Sequence, residues 1–226
     1  MPINIQNPNQ RTPCVLVLDA SGSMDTATSN GRTRIDDLNA GIEAFYEAIR
    51  SDDAAYSRVS IAVVVVGGPR STAELLLDWT DAESFETFSL TAGGGTPIGA
   101  GMLLALELVE NAKRDLRAAG ITYTRPWIIA ISDGEPTDDP NLWARAVSAT
   151  QQAERDKKAE VFTIGVQGAD LQMLGQLSQK PPAALIGIKF KEFFVWLSDS
   201  LAAASRSRAG ENIELPSSDP WRHVGL

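Results

Sequence analysis

The stretch Cys14-Val15-Leu16-Val17-Leu18-Asp19-Ala20-Ser21-Gly22-Ser23 decides how this chain is read. Its first five residues are an unbroken apolar run, the pattern of a short strand buried on both faces. An acid and two hydroxyls follow at alternate positions, 19, 21 and 23. The succession recurs at Trp127 to Ile131, another apolar run, followed by Ser132-Asp133-Gly134. A third oxygen-bearing point, Gly95-Thr96-Pro97, opens a helix-like segment. Two carboxylates and three hydroxyls at strand ends suit a hard divalent cation, which prefers oxygen to sulfur or imidazole.

Working outward, strand and helix signals alternate along nearly the whole chain. Val59 to Val66 is a β-branched run that reads as a second buried strand. Between it and the first, Ile35, Leu38, Ile42, Phe45, Tyr46 and Ile49 recur at helical spacing, with acids elsewhere around the helix. Thr72 to Trp79 reads as a strand after the turn Gly67-Gly68-Pro69. So tight a connection favours an antiparallel edge strand, because a parallel one needs a longer crossover. Gly93-Gly94-Gly95 precedes a helix from about Ile98 to Ala119, ended by Gly120. Leu142 to about Lys158 is helical, Val161 to Val166 a strand, and Leu171 to Leu177 a short helix. Ala184 to Ile188 reads as a last strand. Lys191 to about Ala204 is a final helix carrying Phe193, Phe194, Leu197 and Leu201. This alternation predicts an α/β fold: a doubly wound, mostly parallel sheet with one antiparallel edge strand and helices on both faces. Ligands of such sheets bind beyond the carboxyl ends of the strands, where Asp19 and Asp133 fall.

With 226 residues the chain fits one domain, at most one plus a small addition. Residues 1–12 read as a lead-in, 13–204 as the domain and 205–226 as a polar, proline-bearing tail. Hydrophobic content of 43% and charged content of 22% exclude wholesale disorder. The net charge of −9 repels phosphate backbones, so nucleic acid is not the expected partner. Cys14 is the single cysteine, so no intramolecular disulfide forms, and its apolar run makes it a small core hydrophobe. The N-terminal residues lack a basic region followed by an apolar core, and no run approaches a membrane span. A reducing cytoplasm is the expected location.

The set Asp19-Ala20-Ser21-Gly22-Ser23, Thr96 and Asp133 resembles the metal-ion-dependent adhesion site of von Willebrand factor type A (VWA) domains. That family's pattern is Asp-x-Ser-x-Ser, a distant Thr and a distant Asp, and all five positions are filled in order. The resemblance covers roughly residues 13 to 204. Within the family the chain looks most like the bacterial TerY-type group of tellurium resistance. Leu18 to Met24, Gly94 to Gly99, Ser132 to Asp138 and the late Phe190-x-x-Phe193-Phe194-x-Trp196-Leu197-Ser198 carry that likeness. The resemblance implies a VWA fold and a metal held by Asp19, Ser21, Ser23, Thr96 and Asp133. It also implies Mg²⁺ as the ion, with Mn²⁺ or Ca²⁺ as substitutes. Ser21 and Ser23 would bind directly, Asp19 and Asp133 often through water, and Thr96 depending on conformational state. The implied partner is an acidic side chain of another protein, such as a phosphorylation-related enzyme, in a cytoplasmic bacterial stress response.

Blander readings stand beside these. The Gly93 to Thr96 loop could cradle a phosphate on free helix amides, but lacks the Gly-Lys-Ser/Thr ending of a nucleotide-binding loop. Asp25, Asp138 and Asp139 read as solvated loop or cap residues. Trp127 and Trp196 read as core, and Trp221 as an anchor from the tail. His223, the sole histidine, lies in the tail, far along the chain from any site. The expected function is a non-enzymatic interaction domain. The alternatives are a metal-dependent hydrolase or phosphatase, which lacks a second acid two residues after Asp19 and a histidine in the domain, and a scaffold with a structural metal.

Overall fold

The computed structural model describes residues 3–28, 31–133, 135–166, 168–185, 189–207, 215–218 and 222–223. Among these the strands are β1 (Thr12–Ala20), β2 (Val59–Gly67), β3 (Thr72–Asp81), β4 (Trp127–Ser132), β5 (Glu160–Gly165), β6 (Ala183–Leu185) and β7 (Arg222–His223). The helices are α1 (Arg34–Ser51), α2 (Asp53–Arg58), α3 (Ile98–Ala118), α4 (Pro140–Arg155), α5 (Leu171–Gly175) and α6 (Phe190–Arg206). One sheet forms in the order β3-β2-β1-β4-β5-β6-β7. Its pairs from β2 through β6 are parallel, while β3 runs antiparallel to β2 and β7 antiparallel to β6.

Every residue of β1, β2 and β4 is buried, which is why these strands read as continuous apolar runs. Alternate side chains of one strand serve two cores. Leu16 and Leu18 join Ile42 and Phe45 of α1 and Phe193 and Leu197 of α6 on one face. Val15 and Val17 join Met102, Ala105 and Val109 of α3 on the other. The α1–α6 contact is close: a Cβ on Gly41 would stand 2.6 Å from Phe194 Cδ2. Trp127 and Trp196 are buried as expected, and Cys14 is a wholly buried free thiol whose pKa burial pushes up.

β1 lies between β2 and β4, with α1 packed on one face of the sheet and α3 on the other. A crevice therefore opens beyond the carboxyl ends of β1 and β4, the usual ligand position in such sheets. At the other pole the start of β1 meets the end of α6. Arg11 is fully buried, donating to Ser60 Oγ at 2.6 Å and pairing with Asp81. Ser205 Oγ at the end of α6 donates to Thr12 Oγ1 at 3.1 Å, and Gln10 Nε2 donates to the Ser207 carbonyl at 2.8 Å.

The expected antiparallel edge strand is β3. The second antiparallel strand comes from the tail, whose polar, proline-bearing sequence gave no sign of it. Trp196 Nε1 donates to the Pro216 carbonyl at 2.9 Å, and Leu215 packs on the core nearby. The short helix α2 was also unforeseen; Asp52 starts it by accepting from the amides of Ala54 and Ala55, each at 2.9 Å. Of the expected strand Ala184 to Ile188, residues 186–188 lie outside the described residues, as do Gly134, Trp221 and the side chain of His223.

Candidate metal centre

β1 carries Asp19 next to its end, and the side chain is fully buried. Its Oδ1 accepts from the Ser21 amide at 2.7 Å, closing a local turn that leads the chain out of the strand. Its Oδ2 accepts from Ser132 Oγ at 2.5 Å, at the end of β4. The chain then enters a 3₁₀ turn, Gly22–Asp25, which sets the hydroxyl oxygens of Ser21 and Ser23 3.0 Å apart.

Three loops lace together here. The Ala20 carbonyl accepts from the amides of Gly68 and Gly93, both at 2.8 Å, and the Gly22 amide donates to the Gly94 carbonyl at 2.9 Å. Gly67 makes this possible. Its φ of +89° suits glycine, and a Cβ there would stand 2.7 Å from both the Ser21 nitrogen and the Gly95 oxygen. Thr96 follows, 5% exposed, with its backbone clamped. Its amide donates to Thr137 Oγ1 at 2.9 Å, and its carbonyl accepts from the Thr137 amide at 3.0 Å.

Asp138 is a cap, though of α3 rather than of the helix it precedes. Its carboxylate accepts from the amides of Gly99 at 2.8 Å and Ala100 at 3.0 Å. Those are the first-turn amides a phosphate would need, so the cradle reading loses its donors. Asp139 caps α4 by accepting from the Asn141 amide at 2.9 Å, and Asp25 is exposed.

Asp133 follows β4 and is 9% exposed. Ser21, Ser23, Thr96 and Asp133 all line one cleft of about 540 Å³, and Asp19 lies beneath, hydrogen-bonded to the Ser21 amide. Burial pushes the Asp19 pKa up, the hydrogen bonds from Ser132 and Ser21 pull it down, and the charge of Asp133 pushes it up again. Two carboxylates thus sit close enough to repel in a poorly solvated floor. A divalent cation there would relieve both burial and repulsion. The donors are all oxygen, which fits Mg²⁺ or Ca²⁺ and disfavours softer metals. Among the described residues no group of three or more His, Cys, Asp or Glu side chains gathers for a metal. A site of two carboxylates and three hydroxyls is of another kind, with neutral ligands outnumbering charged ones.

Three residues of this region were not singled out in advance. Ser132 holds Asp19, Thr137 clamps Thr96, and Arg34 Nη1 lies 3.3 Å from Asp133 Oδ2. Ser132 and Thr137 carry no signal beyond adjacency to Asp133. Arg34 does: it is the first residue of α1, where the helix dipole favours acids.

A family model for the von Willebrand factor type A domain matches residues 14–199. Solved structures similar in fold include the pilus adhesin SpaC from Lactobacillus rhamnosus GG, with a TM-score of 0.66 at 15% identity. That match covers 86% of this chain and 31% of the adhesin, so the chain spans about a third of its length. The PilB minor pilin from Streptococcus sanguinis matches with a TM-score of 0.60 at 13% identity, covering 86% of this chain and 62% of the pilin. The vWF domain of the type V pili tip protein Mfa5 from Porphyromonas gingivalis matches at 0.53 and 15% identity, covering 86% of this chain and 94% of that domain. No curated protein matches the chain.

Proposed function

The chain belongs to the von Willebrand factor type A family, and on that premise we propose a non-enzymatic interaction domain that captures a carboxylate of a partner protein through a divalent cation. One observation carries the reading. Four oxygen-bearing side chains from three separate loops line a single cleft, and the fifth, Asp19, is a buried carboxylate beneath it. The ion would be held by Asp19, Ser21, Ser23, Thr96 and Asp133, with Mg²⁺ preferred and Mn²⁺ or Ca²⁺ as substitutes. When bound it would supply an electrophilic point that accepts one further oxygen. The chain's own contribution is positioning. Ser132 and the Ser21 amide fix the carboxylate of Asp19, and Thr137 fixes the backbone of Thr96.

Hydrolysis needs a nucleophile or base beside the bound substrate. The described lining of the cleft holds no His, Cys or Lys; its remaining acids, Glu135 and Asp170, are exposed, and Asp170 is occupied in capping α5. We expect no turnover of p-nitrophenyl phosphate or ATP with Mg²⁺; turnover lost in Asp133→Ala would install the hydrolase reading instead. The finer setting is proposed from the TerY-type motifs alone: a bacterial cytoplasmic stress response of the tellurium-resistance type, beside phosphorylation enzymes. Among the described residues no helix is long and apolar enough to cross a membrane.

The deciding experiment is capture of the partner from native lysate. Retention should require Mg²⁺ and vanish with chelator and with Asp19→Ala, while far-ultraviolet circular dichroism stays unchanged. A partner retained equally in chelator would make the site structural and the domain a scaffold.

A further inference from the structure

Arg34 breaks a local rule. The start of a helix concentrates the positive end of the backbone dipole, so acids are favoured there and a guanidinium is opposed. Asp36 and Asp37 obey, and Thr33 with Asp36 completes a capping box. Arg34, at the first position, does not. Its side chain is only 18% exposed and is spent on the cleft. Nη1 donates to Asp133 Oδ2 at 3.3 Å and to the Ser23 carbonyl at 3.4 Å. Both bonds are long and leave from one nitrogen, whereas a guanidinium has five N–H donors. Gly168 leaves it room: a Cβ there would stand 3.3 Å from Nη2, and the φ of +89° suits glycine.

We propose that Arg34 is a resident cation of the metal site, sharing Asp133 with the divalent ion and taking one oxygen of the arriving carboxylate. This rests on the metal-dependent reading above and adds to it. A dication against the charges of Asp19 and Asp133 leaves a formally neutral floor. Arg34 adds one net positive charge, which an incoming carboxylate cancels. Glu135 and Asp170 also line the cleft, but both are exposed at its rim and solvent screens them. Asp170 is further occupied in capping α5, accepting from the Met173 amide at 3.0 Å. Two consequences follow from like charges at close range. Arg34 weakens the ion when it binds alone, and ion and carboxylate reinforce each other reciprocally. A planar fork beside the ion also favours a two-oxygen ligand over a single neutral oxygen.

The test is calorimetric titration of Mg²⁺ into wild type, Arg34→Gln and Arg34→Lys, in chloride and in acetate at equal ionic strength. In wild type, acetate should tighten Mg²⁺ several-fold. Arg34→Gln should bind Mg²⁺ alone about tenfold more tightly than wild type and lose the acetate effect. Arg34→Lys keeps the charge without the fork, so its Mg²⁺ affinity should stay near wild type while the acetate effect falls by at least half. Should Arg34→Gln fail to fold, Arg34→Lys alone carries the test. Mg²⁺ affinity within twofold of wild type in Arg34→Gln, or an undiminished acetate effect in either variant, overturns the role of Arg34 and leaves the metal site standing. Mg²⁺ binding by none of the three proteins overturns the metal site, and this role with it.

Discussion

Asp19→Asn separates what the buried carboxylate costs from what it is for. The side chain is fully buried, held by two hydrogen-bond donors and repelled by a second carboxylate. Burial holds its pKa above the ordinary carboxylate value of about 3.9. Between that value and the raised one, the folded protein keeps a proton that the unfolded chain has released. Stability of the metal-free protein therefore falls as pH rises through this window and levels off above it. The amide is isosteric and neutral, and still accepts from the Ser21 amide. In chelator above the window, the variant should be more stable than wild type by about 1–3 kcal/mol, the scale of an uncompensated buried polar group. For a chain of this length that is a Tm rise of about 2–10 °C. Mg²⁺ should reverse the ranking. At a hundredfold excess over its Kd the ion adds about 2.7 kcal/mol to wild type and much less to the variant. That gain should fade in wild type as pH falls and Asp19 takes its proton. Differential scanning calorimetry in chelator and in Mg²⁺, carried upward in pH from the ordinary carboxylate range until stability levels off, reads all of this. A variant that melts below wild type in chelator above the window, or that keeps the full Mg²⁺ gain, would refute the reasoning.

Gly67→Ala should cost about 2–4 kcal/mol, because its φ and the two atoms at 2.7 Å force the site loops apart; urea midpoints check the loss, and calorimetry should show Mg²⁺ binding gone. Asp138→Ala removes the cap from α3 and should cost about 1–2 kcal/mol in thermal melts, with weaker Mg²⁺ binding because the clamp on Thr96 lies next door. Phe194→Ala empties a buried place between α1 and α6, remote from the cleft, and should cost about 3–5 kcal/mol in urea with Mg²⁺ affinity unchanged while the protein is folded.

The central strands and long helices were legible because burial on two faces leaves an unambiguous mark. Val15 to Leu18 and Val59 to Val66 could be little else, and the tight turn at Gly67 fixed the direction of β3. Helix α2 was not legible: six residues give no period to detect, and its start depends on the single side chain of Asp52. The tail strand was not legible because two residues paired to an edge carry no pattern of their own. At the site, the Asp-x-Ser-x-Ser stretch and Asp133 were visible by their place after apolar runs. Arg34 stood out only as a cation at a helix start; its partner was not legible, because Asp133 is 99 residues away. Which helix Asp138 caps was equally a matter of tertiary approach.

The pairing of Thr12 with Ser205 has a consequence for attachment. The start of β1 and the end of α6 lie side by side, at the pole opposite the cleft. A nine-residue strand separates the two poles by about 30 Å. Neither flank of the Thr12–Ser205 contact runs free: Ile3 is buried upstream of it, and beyond α6 the tail returns to pack Leu215 on the core and add β7 to the sheet. A pull from beyond the tail would therefore peel β7 from β6 and break the bond from Trp196 to Pro216 first, and load the Thr12–Ser205 seam only afterwards.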